Sequence, residues 1–174
     1  MMNTILESDR RFGVLLWDPV RGEPARVGCC AEVIQYQRMP DDRMKILTVG
    51  QQRFRVLEYV REKPYKVGLV EWIEDKPPQK DLKPSASEVE QLLRDVVRLS
   101  AKLTEQNIEL PESIPELPTE LSYWVASNLY GVATEQQTLL EMQDTANRLE
   151  REAEILTSTR NHLAARTVLK DTFD

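Results

Sequence analysis

His162 is the only histidine among the 174 residues of this sequence, and it sits near the C-terminal end. A hydrolytic triad needs a histidine oriented by a second group, and a multi-histidine metal site needs another imidazole, so neither can be built around it. It reads as a surface residue of a helix. Ser158 and Lys170 could form a serine–lysine pair by type, but on one helix twelve residues separate them by about 18 Å. The carboxylate pairs Asp41-Asp42 and Glu74-Asp75 fall where turns are expected and are read as solvated. Cys29 and Cys30 are adjacent in a strand-like run, where successive side chains face opposite ways, so a mutual disulfide is not expected. The six glycines at 13, 22, 28, 50, 68 and 131 are never followed by Lys, and they form neither a phosphate loop nor a dinucleotide turn. No catalytic residue, cofactor or metal is expected.

Composition narrows the partners. The chain is 41% apolar and 30% charged, with a net charge of −6. Residues 1–75 carry 12 basic and 12 acidic side chains, so the acidity lies in the second part. A partner held by phosphate neutralisation would need clustered Lys and Arg, which argues against nucleic acid. No apolar run reaches the roughly 18 residues that span a bilayer, and the start Met1-Met2-Asn3-Thr4 has no basic-then-apolar layout. A cytoplasmic protein with free thiols is the expectation.

The elements that must position these residues change character near Asp75. Before it, strand-like runs cover Phe12 to Trp17, Val27 to Gln37, Lys45 to Val49, Arg53 to Val60 and Tyr65 to Ile73, with Gly, Pro and Asp between them. Arg38 to Arg43 reads as a hairpin turn. Residues 76–87, rich in proline, form the linker, and residues 88–174 have helical period. Ser85 to Glu88 has the form of a capping box, and Val89, Leu92, Leu93, Val96, Leu99 and Leu103 follow it as an apolar stripe ending near Asn107. A second helix is expected from Thr119 to Gly131, buried through Leu121, Trp124, Val125 and Leu129. A third opens at the capping box Thr134 to Gln137 and continues unbroken to about Lys170, near 55 Å long. Leu139, Met142, Ala146, Leu149, Ala153, Leu156 and Leu163 lie on its heptad seam, interrupted by Arg160, and Asp144 is placed one turn from Arg148 to pair with it.

Two stretches carry a family resemblance. Val27-Gly28-Cys29-Cys30-Ala31-Glu32-Val33, then Val49-Gly50-Gln51-Gln52-Arg53-Phe54-Arg55-Val56, then Pro64-Tyr65, resembles paired strands in the amino-terminal domain of Lon proteases. The segment Gln137 to Glu150 resembles that family's Q-x-[LV]-L-E-x-x-D-x-x-x-R-L-E helix. The resemblance runs from about Arg11 to Arg151. It implies an α+β fold, a PUA-like β pseudo-barrel followed by a helical bundle. Relative to the family pattern the sequence opens at the short helix Met1 to Leu6, so the resemblance implies a barrel shortened by its first strand or two. It also implies a non-catalytic domain, because the sequence contains neither the ATPase loop nor the Ser-Lys peptidase of full Lon enzymes.

The function implied by the resemblance is binding of unfolded or exposed polypeptide, as an adaptor for a separate protease. Met39, Pro40, Tyr65 and Trp72 are the candidate polypeptide contacts, since Met and aromatic side chains give adaptable apolar contact. For Trp17, Phe54 and Trp72, core packing is the better expectation. Gly50 is expected to need a positive φ or a close backbone approach, and Arg53 to pair within the fold. Leu149, Leu156 and Leu163 are the candidate partner-binding residues, left uncovered on the long helix for a weak homo-oligomer or a docking contact. The alternatives are a PUA-like RNA-binding module and a regulatory scaffold that docks through that helix.

Overall fold

A computed structural model describes residues 1–107, 109–111, 113–129 and 133–173. The chain divides into two compact units, Met1–Glu74 and Asp75–Asp174. The division follows the chemistry of the connector: the last strand ends at Ile73, and prolines at 77 and 78 offer no N–H to a ladder.

The first unit opens with a one-turn helix α1 (Met2–Leu6), then β1 (Arg11–Val14), β2 (Trp17–Asp18), β3 (Glu23–Pro24), β4 (Val27–Arg38), β5 (Met44–Arg61) and β6 (Val67–Ile73). β2 and β3 form a two-stranded ribbon, while the main sheet has the order β1-β4-β5-β6, every pair antiparallel. Its core is small: Cys30, Phe54 and Val56 are buried, with Leu15, Tyr59 and Val70 packed against them. The Phe54 ring explains one glycine of the family-like motif. A Cβ on Gly28 would lie 2.3 Å from the Val14 carbonyl oxygen and 3.0 Å from Phe54 Cζ, so only glycine lets β1 and the ring come this close.

Gly50 is different, and here the expectation fails. Its φ is not positive, and an added Cβ would meet only Cys29 Sγ at 3.5 Å, an ordinary contact. The two runs expected on either side of it form one 18-residue strand. Arg53 is buried, opposite Cys29 on β4 and Ile73 on β6. The turn expected at Arg38 to Arg43 is present: Arg38 pairs with Met44, the Met39 N–H donates to the Arg43 carbonyl at 2.8 Å, and Asp42 takes the left-handed conformation. Phe54 is core as expected, but Trp17 and Trp72 are 58% and 53% exposed. The reason is position: Trp17 lies on a two-residue strand and Trp72 near the end of a terminal strand of the sheet, where no further layer of this unit covers them.

The second unit holds α2 (Lys83–Thr104), α3 (Pro118–Ser127), α4 (Ala133–Glu141) and α5 (Thr145–Phe173). Leu82, Ala86, Val89, Leu92 and Leu93 meet Leu121, Val125, Leu129, Leu139, Leu149 and Leu156 in one core. α2 starts earlier than its capping box implies. Pro84 stands in its first turn and the Asp81 carboxylate accepts the Lys83 N–H at 3.0 Å, so Ser85 lies inside the helix and caps nothing. α4 already includes Ala133, so Thr134 is likewise not its cap. The second helix ends at Ser127, short of the expected Gly131, which itself lies outside the described residues.

The long third helix is two helices. Residues Met142 to Asp144 are not helical, and the Asp144 carboxylate accepts the N–H groups of Ala146 at 2.9 Å and Asn147 at 3.2 Å, which makes Asp144 the N-cap of α5. This use of Asp144 removes it from the expected ion pair with Arg148. The expected uncovered seam is also covered. α2 and α5 run side by side in the same direction, from Ser85 and Glu88 beside Ala146 and Ala153 to Leu103 and Glu105 beside Lys170. Leu149 and Leu156 are accordingly 0% and 1% exposed, and Leu163 is half-buried.

Candidate functional site

Three groups of residues have unusual chemistry or exposure, and they differ in what they can do. The first is polar and buried. Arg148, fully buried on α5, donates from Nη2 to Asp75 Oδ2 at 2.5 Å, from Nε to Ser122 Oγ at 2.8 Å and from Nη1 to the Met142 carbonyl at 3.0 Å. Its guanidinium lies over the Tyr123 ring at 3.9 Å, and the Tyr123 hydroxyl donates to Asp75 Oδ1 at 2.9 Å. Thr145 Oγ1 adds a further donor to Asp75 at 3.2 Å. Among the described residues, Arg148, Tyr123 and Thr145 direct these donors at groups of the same unit. The cluster is therefore a lock holding Asp75 against α3 and α5.

Glu152 stands one turn beyond Arg148 and is also fully buried, with no hydrogen-bond partner among the described residues for either carboxylate oxygen. Burial pushes its pKa up to about 9, with Arg148 pulling weakly the other way. At neutral pH it holds a proton and adds no charge to the interior. The thiols form the second group. Burial holds both Cys29 and Cys30 above the ordinary thiol range, so little thiolate exists near pH 7 and neither is an activated nucleophile. Both are free. Among the described residues no group of three or more His, Cys, Asp or Glu is arranged to hold a metal ion, and no helix is long and apolar enough to cross a membrane.

The third group is apolar and exposed. β1 pairs with β4 only at Cys29 to Glu32, and β6 pairs with β5 only from Arg53 to Arg61. The rest of the hairpin, from Gln35 to Arg38 and from Met44 to Val49, is a two-stranded arm that extends beyond its neighbours. Tyr36, Ile46, Leu47 and Val49 are all exposed on it, Leu47 at 54%, and Ile34 is exposed at its base. Tyr36 pairs with Ile46 on one face, while Leu47 and Val49 share the other. A monomeric protein rarely leaves so many large apolar side chains together in water, and such patches mark contact surfaces.

The four residues expected from sequence to touch polypeptide are not gathered together. Met39, half-buried, and Pro40, exposed, lie at the tip of the arm. Trp72 is far from that tip, with its ring edge-on to Phe54 at a centroid distance of 6.4 Å. Tyr65 precedes the other end of β6, half-buried under the Arg61 guanidinium at 4.8 Å. Of the candidate partner-binding residues, Leu149 and Leu156 are core and Leu163 is half-buried, so none presents an open seam. What the sequence reading passed over is the run Ile46 to Val49. Its missing alternation, with Ile46 and Leu47 adjacent in a strand, was the available signal that apolar groups face both sides.

Over residues 1–158 the sequence matches the ATP-dependent protease La (LON) substrate-binding domain family. Lon protease 2 of Myxococcus xanthus is 30% identical over 148 residues, which cover 84% of this chain and 18% of that protein. Lon protease of Anaeromyxobacter dehalogenans is 31% identical, with 84% and 17% covered. The chain thus spans under a fifth of the length of these curated relatives. Among solved structures, a Lon N-terminal domain protein from Xanthomonas campestris superposes with a TM-score of 0.58 at 23% identity, covering 86% of this chain and 78% of that one. The N-terminal domain of Mycobacterium avium complex Lon protease gives 0.62 at 15% identity, covering 92% and 82%. At these identities the two structures establish the α+β fold.

Proposed function

The chain belongs to the LON substrate-binding domain family, and from that premise we propose that it recognises polypeptide segments exposed by unfolding. Its first unit supplies the surface and a protease acts on what it holds. The observation that carries the reading is the exposed apolar arm of β4 and β5, together with Trp17 and Trp72 on the same unit. An unfolded chain differs from a folded bystander by its accessible apolar groups, and an apolar surface without strong charge selects on that difference. Of the expected contact set, Pro40 and Met39 lie at the tip of this arm and Trp72 is exposed on the same unit, whereas Tyr65 lies toward the far end of β5 and β6 and is left out of the proposed surface. Supply of the bound segment to a separate protease, as an adaptor, is the finer part of the proposal.

The test is direct binding. A reduced, carboxymethylated protein that cannot refold is labelled with a fluorophore and titrated with the purified chain. Rising anisotropy that the same protein in its native form does not compete away is the expected result. Equal competition by folded and unfolded forms, or no binding at all, overturns the reading.

A further inference from the structure

We propose that the open edge of β5 from Met44 to Gln52 is a strand-addition site, which accepts one extended polypeptide segment by backbone pairing; this rests on the polypeptide-recognition reading and names where and how the segment binds. β5 has eighteen residues, and on the side away from β4 only Arg53 to Arg61 is paired, by β6. Of the preceding nine residues, Met44 to Gly50 pair with β4, with register shifts between Val33 and Gln35 and just beyond Ala31, and among the described residues no strand lies on the other side of the nine. Every residue from Lys45 to Gln52 is exposed.

The backbone of this stretch is already held in strand geometry by β4, through pairs from Arg38 with Met44 to Ala31 with Gly50. Its outward N–H and C=O groups form a ready template for another strand. Such a template reads main chain, which every polypeptide has and only an unfolded one offers in extended form. The side chains agree with this occupant. Ile46 flanks an added strand on one face and Leu47 and Val49 on the other, so alternate apolar groups of the segment find contact whichever way it points. Lys45 is the one charged side chain on the stretch, and an acidic group near that end of the segment complements it.

A second copy of this chain is the competing occupant, and size decides against it. An edge of nine residues is about 30 Å long, and with a sheet about 10 Å thick it offers roughly 300 Å² per partner, or about 600 Å² in all. A stable assembly of folded chains buries about 1,200 Å² or more. A flexible segment has no rigid body to orient, and weak transient capture suits a site that must release what it binds.

The experiment follows amide hydrogen exchange of the full chain with and without a blocked eight-residue peptide of alternating valine and threonine. Peptide should slow exchange at outward amides between Met44 and Gln52 by about tenfold or more and leave Arg53 to Arg61, already paired by β6, unchanged. The same peptide with alternate amides N-methylated keeps its side chains but cannot pair, and should give no protection. If both peptides bind alike, or if unmethylated peptide protects another region, the edge is not the site although polypeptide recognition stands. If the unfolded protein of the preceding test fails to bind as well, that reading falls with it. Protection of residues 44–52 that grows with protein concentration alone assigns the edge to a second copy and overturns the proposal.

Discussion

At the scale of single residues, the glycines of the two motif strands separate cleanly. Gly28 lies where β1 and the Phe54 ring converge, and an added methyl would meet backbone oxygen at 2.3 Å, which cannot be relieved by turning a side chain. Gly28→Ala should therefore lose roughly 1–3 kcal/mol of stability in urea unfolding followed by tryptophan fluorescence. Gly50→Ala should change it by less than about 1 kcal/mol, because the site has room and its φ is not positive. Equal losses at the two positions would mean that close packing is not what requires glycine. Both residues look alike in the sequence; the difference depends on what crosses them in space.

Glu152 yields a pH dependence whose sign follows from its environment. An acid with a pKa of about 4.5 in an unfolded chain and about 9 when folded binds its proton more tightly in the native state. The advantage is complete below about pH 4.5 and is lost as pH rises toward 9. Glu152→Gln keeps the shape of the protonated acid and cannot ionise. The variant should lie within about 1 kcal/mol of the parent near pH 5 and exceed it by roughly 4 kcal/mol near pH 8, measured as the difference between their thermal stabilities at each pH. A parent and a variant that run parallel from pH 5 to 8 would show that Glu152 is ionised in the fold.

At the scale of elements, legibility followed local signals. The β4–β5 turn was readable because Pro40, Asp41 and Asp42 dictate it within six residues, and the core face of α2 because Val89, Leu92 and Leu93 repeat at helical spacing. The break between α4 and α5 was not readable. Met142 and Ala146 continue the apolar stripe on either side of it, and no glycine or proline marks the gap. What makes the break is a side chain that prefers a cap: Asp144 takes two N–H groups that a continuous helix would have paired internally. Asp144→Ala should destabilise the second unit by about 1 kcal/mol and speed hydrogen exchange at Ala146 and Asn147. Unchanged exchange there would mean that packing alone sets the start of α5. The covered seam has a similar lesson, since a heptad stripe does not say whether its partner is another molecule or, as here, α2 of the same chain.

At the scale of the whole molecule, the change of period near Asp75 made the division of the chain legible, while the residue that anchors the second unit was not. Asp75 and Arg148 are 73 positions apart, and nothing local in either segment announces that a buried guanidinium needs a carboxylate from so distant a residue. The structure gives the second unit its own core, drawn among the described residues from α2 to α5 together with Leu82 before α2 and Leu129 after α3, and places the Asp75 lock in the same unit. A fragment of residues 75–174 should therefore fold alone, with a helical circular dichroism spectrum and a cooperative thermal transition. Asp75→Asn in that fragment leaves Arg148 buried with its charge uncompensated, although Ser122 and the Met142 carbonyl remain to accept its hydrogen bonds. Removing one partner of a buried pair typically costs about 3–5 kcal/mol, against well under 1 kcal/mol for a solvated pair. The fragment's transition should fall accordingly, while Arg94→Ala, which breaks an exposed pair with Glu90 on α2, should leave it nearly unmoved. A fragment that is helical but melts without cooperativity would show that the unit draws its stability from the rest of the chain, and equal effects of the two substitutions would show that the Asp75 lock is no stronger than a surface pair.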